Sequence, residues 1–237
     1  ELIDVFGADH GGYVKRMNLD VFRSQNRGGR GKTGINLNED DVIDSITFTQ
    51  THDYILFFTN LGRVYKMKGY KVPNFGRSSK GLPIVNLLNL NEGEELAAVM
   101  SLKNFDEGFL FFTTKNGLVK RTSVSNFQNI RVNGIRAITL KDDDFLHSVR
   151  LTDGNRDIII GASNGKAIRF NENDVREMGR TAAGVKGISL SEKESVVGVS
   201  TVTEDRNQIL AITKKGYGKR TDVDEYRLQK RGGKGVK

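Results

Sequence analysis

Two seven-residue stretches place paired glycines between basic side chains: Gln25-Asn26-Arg27-Gly28-Gly29-Arg30-Gly31 and Gln229-Lys230-Arg231-Gly232-Gly233-Lys234-Gly235. Glycine accepts positive φ and lets main chain come close to a ligand. Arginine meets a phosphate with a planar fork, lysine with a point charge. A tight cationic loop of this composition suits a nucleic-acid backbone. A solvated basic turn has the same composition, so a motif this short is decided by where its copies sit.

The copies sit in a repeat. Five segments share an apolar run, a glycine turn and a short strand with a basic residue; the marker glycines are Gly12, Gly62, Gly117, Gly165 and Gly216, spaced by 50, 55, 48 and 51 residues. Four residues after each marker comes a cation: Arg16, Lys66, Arg121, Arg169 and Arg220. Nineteen residues after it comes a second glycine, Gly31, Gly81, Gly184 and Gly235, with Gly134 in the shorter third repeat. An acidic turn follows in four repeats: Glu39-Asp40-Asp41, Glu92-Gly93-Glu94, Asp142-Asp143-Asp144 and Glu192-Lys193-Glu194.

The apolar runs, Tyr54–Thr59, Phe109–Thr113, Ile158–Ala162 and Ile209–Thr213, are nearly continuous, which predicts strands buried on both faces. Strand, tight turn, strand, long loop and strand every ~50 residues is the grammar of a propeller blade. Blades that must cover one another stack around an axis, and equivalent loops then share a rim. That rim is expected to carry the five cations above together with Gln25, Arg27, Gly28, Gly29, Arg30, Gly31, Lys32, Arg77, Lys80, Arg131, Arg136, Arg180, Lys186, Lys230, Arg231 and Lys234. The acidic turns are expected to be solvated and to lie apart from the cations.

Composition agrees. In 237 residues, 37 Lys and Arg against 29 Asp and Glu leave a net charge of +8, which favours a polyanionic partner. There is no Cys, hence no disulfide framework or thiolate metal site. His10, His52 and His147 lack metal-ligand spacing. No 18-residue apolar run could span a membrane. The chain opens at Glu1 without an initiator Met or signal sequence, as expected of a segment cut from a longer protein, and a reducing bacterial cytoplasm fits.

These residues resemble the C-terminal domain of the A subunit of bacterial DNA gyrase, across essentially the whole chain. Gln25 to Gly31 falls where that family carries its seven-residue box, departing from it at Asn26, where a basic residue is usual; Gln229 to Gly235 matches all seven positions. The resemblance implies a single all-β domain over 1–237, a propeller-like β-pinwheel whose outer strands are exchanged between blades. The family usually has six blades, and five repeat signatures are present. It also implies that duplex DNA is bound without sequence preference, bent and wrapped in a chiral sense. The partners implied are the N-terminal part of the gyrase A subunit and the gyrase B subunit. ATP and Mg²⁺ would be used elsewhere in the parent enzyme, and this domain would itself be non-catalytic, without cofactor or metal, and cytoplasmic on the bacterial chromosome. The equivalent domain of topoisomerase IV, whose box is degraded or missing, and a protein-binding propeller are the alternatives. A propeller hydrolase would need two carboxylates poised across a pocket, which turns carrying one acidic set per repeat do not suggest.

Overall fold

The computed structural model describes residues 2–6, 12–19, 46–76 and 78–237. In chain order the strands are β1 Leu2–Phe6, β2 Tyr13–Asn18, β3 Ile46–Gln50, β4 Tyr54–Thr59, β5 Arg63–Lys68, β6 Leu82–Pro83, β7 Leu96–Leu102, β8 Phe109–Thr114, β9 Leu118–Ser123, β10 Ile135–Arg136, β11 Leu146–Thr152, β12 Asp157–Ala162, β13 Ala167–Asn171, β14 Val185–Lys186, β15 Val196–Thr201, β16 Gln208–Ile212 and β17 Gly218–Asp222. The α-helical content among the described residues is a single turn, Ile84–Leu87.

The marker glycines close the hairpins. Gly62, Gly117, Gly165 and Gly216 each donate their backbone N–H to the residue three positions earlier, Thr59, Thr114, Ala162 and Thr213. All four glycines have φ between +80° and +88°, which a side chain would strain. Three of the turns are further fixed by the threonine hydroxyl, which accepts the next backbone N–H: Arg63 to Thr59 at 3.3 Å, Leu118 to Thr114 at 3.1 Å and Tyr217 to Thr213 at 3.2 Å.

The chain forms two compact units. The first, Glu1–Phe105 with Asn129–Ala137, holds two four-stranded sheets in the orders β3-β1-β2-β6 and β10-β5-β4-β7. Its core gathers Val14, Ile55, Phe57, Tyr65, Val72, Ile84 and Leu88. The second, Asp106–Gln128 with Ile138–Lys237, holds the sheets β11-β8-β9-β14, β13-β12-β15 and β16-β17, with a core of Phe111, Val119, Ile158, Ile160, Ile168, Phe170 and Ile188.

Strands are shared between repeats in a fixed way. Each marker hairpin pairs on one side with the first strand of the following repeat: β4 with β7, β8 with β11, β12 with β15. On the other side it receives a two-residue strand from that same following repeat, with Val14 opposite Leu82, Val64 opposite Ile135 and Val119 opposite Val185. The fourth hairpin receives a single bridge, Ala167 to Val236. This exchange is the pinwheel feature that the family resemblance implied.

The apolar strands β4, β8 and β12 are buried as expected. The expectation fails for Ile209–Thr213. β16 pairs only with β17, and Leu210 and Ile212 are 63% and 65% exposed. The sequence pattern reports that a strand can be covered, and here no strand lies along its other edge among the described residues.

Candidate nucleic-acid interface

Among the described residues the loops in register with the glycine-rich stretches are 75–76 with 78–81, 130–134, 178–184 and 229–235; each runs over the hairpin of the preceding repeat. Backbone hydrogen bonds lay them down: Phe75 N–H to Arg16 O at 3.2 Å, Met178 N–H to Arg121 O at 2.8 Å and Gln229 N–H to Arg169 O at 2.8 Å. The closing glycines allow the close approach. Gly81 and Gly184 have φ of +91° and +94°, and a Cβ on either would stand 2.5 Å from the carbonyl oxygen of Val14 or Val119.

The cations four residues after the marker do different work from that expected. Arg16 Nε donates to Val72 O at 2.7 Å. Arg121, only 9% exposed, donates from Nε to Val175 O at 3.1 Å and from Nη1 to Asn173 Oδ1 at 3.2 Å. Arg169 pairs with Asp157 at 2.9 Å and donates to Val223 O at 3.0 Å and Tyr226 O at 3.4 Å. These three guanidiniums, expected from the sequence on the outward rim, clip one repeat to the short turn of the next. The physical reason is that the turn ends leave backbone carbonyls without a ladder partner, and a guanidinium reaching across the sheet satisfies them. Lys66 lies 5.1 Å from the ring centre of Tyr54 and 5.3 Å from that of Phe105, and Arg220 is exposed.

One strand position earlier sit two lysines that sequence reasoning passed over. Lys15 and Lys120 are fully buried. Lys15 Nζ donates to Gly76 O at 3.1 Å and Ser79 O at 2.7 Å. Lys120 Nζ donates to Gly179 O and Arg180 O and lies 4.7 Å from the Phe112 ring centre. Burial, helped by the nearby Arg180 charge, pulls Lys120 down to about 7; burial lowers Lys15 as well. The available signal was position: both lysines directly follow a core valine, Val14 or Val119, and point at the loop of the next repeat.

The second glycine-rich stretch, 229–235, is docked by its own arginine. Arg231 Nε donates to Asp174 O at 3.0 Å and Nη1 to Lys186 O at 2.9 Å. Gly232, at φ +88°, donates its N–H to Gly187 O at 2.6 Å, and Ser189 Oγ donates to Gly232 O at 2.7 Å. Lys230, with its side chain 89% exposed, pairs with Asp174 at 3.1 Å, and Lys234 is exposed. So Arg231 turns toward the protein while the two lysines face solvent. Gln25, Arg27, Gly28, Gly29, Arg30, Gly31, Lys32 and Arg77 lie outside the described residues.

Arg131, Arg136 and Lys186 are exposed and Arg180 is half-buried; Lys80, also half-buried, has its ammonium 4.4 Å from the Tyr13 ring centre. Of the acidic turns, Glu39-Asp40-Asp41 lies outside the described residues, and the other three are not simply solvated: in each the third residue caps the turn. Glu94, 8% exposed, accepts from Asn91 N–H at 3.0 Å and Tyr65 OH at 3.1 Å. Asp144, 5% exposed, accepts from Asn116 N–H at 3.0 Å and Phe145 N–H at 2.8 Å. Glu194 accepts from Ser191 N–H at 2.9 Å, and that bond is the first cause holding its carboxyl below the usual range. Backbone N–H groups left open by the turn are the reason an acid is there.

The family described as DNA gyrase C-terminal domain, beta-propeller, matches five consecutive segments, 10–50, 53–103, 108–153, 156–203 and 207–237. The DNA gyrase A subunit of Staphylococcus epidermidis (strain ATCC 12228) is 50% identical over 236 residues, covering 98% of this chain and 26% of that protein. Its counterpart from Staphylococcus aureus (strain NCTC 8325) is 48% identical, covering 98% of this chain and 27% of that protein. A crystal structure of the C-terminal domain of DNA topoisomerase IV superposes with a TM-score of 0.81 at 28% identity, over all of this chain and 72% of that one. A DNA gyrase A C-terminal domain gives 0.80 at 30% identity, over all of this chain and 76% of that one. The chain thus spans about a quarter of the length of the curated relatives it matches.

Proposed function

The chain belongs to the family of DNA gyrase C-terminal domains, and from that premise we propose that it binds duplex DNA without sequence preference, bends it, and so wraps it for the parent enzyme. The observation that carries this reading is the docked loop of three described repeats, which presents cations to solvent: Arg131 in the third, Lys186 just after the loop of the fourth, Lys230 and Lys234 in the fifth. Phosphate neutralisation by such side chains is independent of sequence. Bending 20–30 base pairs by 40–90° costs on the order of 1–6 kcal/mol, which several phosphate contacts can offset.

In the parent enzyme the bent duplex would lead a second segment toward the cleavage core, giving ATP-driven supercoiling its sign. ATP and Mg²⁺ are used elsewhere on this reading, by partners that include the N-terminal part of the gyrase A subunit and the gyrase B subunit, in the cytoplasm on the chromosome. Two glycine-rich boxes and identity near 50% to gyrase subunits favour gyrase over topoisomerase IV.

Duplex binding by this chain, titrated with salt, tests the reading. Affinity is expected to fall by roughly 10³–10⁵ between 50 and 200 mM salt if 6–10 phosphates are neutralised. A fluorescent duplex labelled at both ends should show its ends approaching on binding. A flat salt titration, or binding with straight DNA, overturns the proposal. In the parent enzyme, alanines at Gln25 to Gly31 are expected to abolish supercoiling and spare relaxation; equal loss of both would remove the special role of that stretch.

A further inference from the structure

Three of the four described loops that cross the hairpins are held at their middle by a cation of one of two origins; in the other, 130–134, the equivalent strand position is Tyr65 and Arg63 Nη2 donates to Asn133 O at 2.6 Å. Under the loop of 75–76 with 78–81, and under loop 178–184, the cation comes from the hairpin below, as the ammonium of Lys15 or Lys120. Over the fourth hairpin the equivalent strand position is Ile168, and the cation comes from the loop itself, as Arg231. The final glycine of all three loops is placed alike, its would-be Cβ 2.5–2.7 Å from the carbonyl oxygen of Val14, Val119 or Ala167. The backbone path is thus fixed at its end by glycine, while its middle is fixed by whichever side supplies the charge.

We propose that Lys15 and Lys120 are positioning residues for DNA bending: each sets the shape of the neighbouring repeat's interface loop while touching no phosphate. This rests on the DNA-wrapping reading above. Both ammonium groups are fully buried and donate to loop carbonyls, so they release no counterions when DNA arrives. Gly179 O also accepts the Ala182 N–H at 3.2 Å, so the Lys120 contact falls on the carbonyl that closes the loop's own turn. The exposed cations that follow the loop, Lys186 among them, are aimed by a residue that DNA never meets.

Lys120→Met keeps the apolar stem and removes the donor. It should raise amide exchange at Ala182 by about ten- to hundred-fold, the range of one charge-assisted hydrogen bond. End-to-end approach of a labelled duplex should shrink, while the slope of log affinity against log salt stays at the unsubstituted value. Lys186→Met should do the reverse: unchanged exchange at Ala182 and a slope smaller by about 0.9. Lys15→Met repeats the test on residues 78–81, so a variant that fails to fold at one site leaves the other to decide. The swap offers a rescue. Lys120→Ile combined with Gly179→Lys, Thr181→Gly, Ala182→Gly and Ala183→Lys converts the fourth loop to the self-docking pattern around Arg180, and should restore the end-to-end approach of the labelled duplex.

Unchanged exchange in both lysine variants overturns the proposal, as does a salt slope that falls by one phosphate. Exchange is read without DNA, so these results stand apart from the wrapping reading, which fails if the unsubstituted chain leaves DNA straight.

Discussion

Replacing Arg231 by Met separates the two jobs done by one glycine-rich stretch. The substitution keeps the apolar stem and removes two donations, to Asp174 O at 3.0 Å and Lys186 O at 2.9 Å. Hydrogen bonds from a charged donor contribute about 1.5–3 kcal/mol, and the more open of the pair counts toward the bottom of that range. The expected loss is about 2–4 kcal/mol. The neighbouring change, Lys230→Met, removes an ion pair from a side chain that is 89% exposed. Such a pair contributes about 0–1 kcal/mol. Urea unfolding of the 237-residue chain should rank the variants accordingly, with the Arg231 variant lower. Salt titration of DNA binding should rank them the other way. Lys230→Met is expected to reduce the slope by about 0.9, and Arg231→Met to lower affinity with little change in slope. If Arg231→Met leaves stability within 1 kcal/mol and takes a full phosphate from the slope, the inward role assigned to that guanidinium is wrong.

Stability should also depend on pH through Lys120. Its folded value, about 7, lies below the ordinary 10.5 of an unfolded lysine, chiefly because burial disfavours the charge and secondarily because Arg180 is near. Between those values the unfolded chain binds the extra proton, so stability rises with pH across that window, by up to about 1.4 kcal/mol per pH unit, and is flat below it. Lys120→Met should remove that rise, as measured by denaturation at pH 7 and 9. Gly184→Ala should cost at least about 3 kcal/mol, because φ +94° is strained for alanine and its Cβ would meet Val119 O at 2.5 Å. Gly165→Ala, at φ +80° with open space around it, should cost only about 1 kcal/mol; comparing the two unfolding midpoints separates crowding from backbone strain. Asp144→Ala should destabilise by about 1–3 kcal/mol, because two turn N–H groups, on Asn116 and Phe145, lose their acceptor.

The repeat was legible because its signal is backbone conformation. A glycine at positive φ closes each turn from Gly62 to Gly216, and no side chain substitutes for it cheaply. The apolar runs were legible where a neighbouring strand covers them, and misleading at Leu210 and Ile212, where none does. The family and the all-β blade architecture follow from those two signals together with the box. What the sequence hid was direction. Arg121 and Lys186 are both cations in short strands, yet one is clipped to Val175 O and the other is exposed. The difference depends on which carbonyls a distant repeat leaves open, and that is a long-range fact. Glu94 and Asp144 misled for the same reason: an acidic turn looks solvated until its open N–H groups are found. Lys15 and Lys120 were hidden because a charged residue directly after a core valine ordinarily reads as the exposed side of a strand.

The two-residue strands Leu82–Pro83, Ile135–Arg136 and Val185–Lys186 all enter the preceding sheet opposite the same position, Val14, Val64 or Val119. The period written in the gene and the period assembled in space are therefore offset by about twenty residues. No cut between repeats frees a self-sufficient piece, since every piece would leave behind a lender or a borrower. Excising or duplicating one whole period, however, leaves each hairpin facing a compatible donor. Unequal recombination can thus change the number of copies without stranding a strand edge.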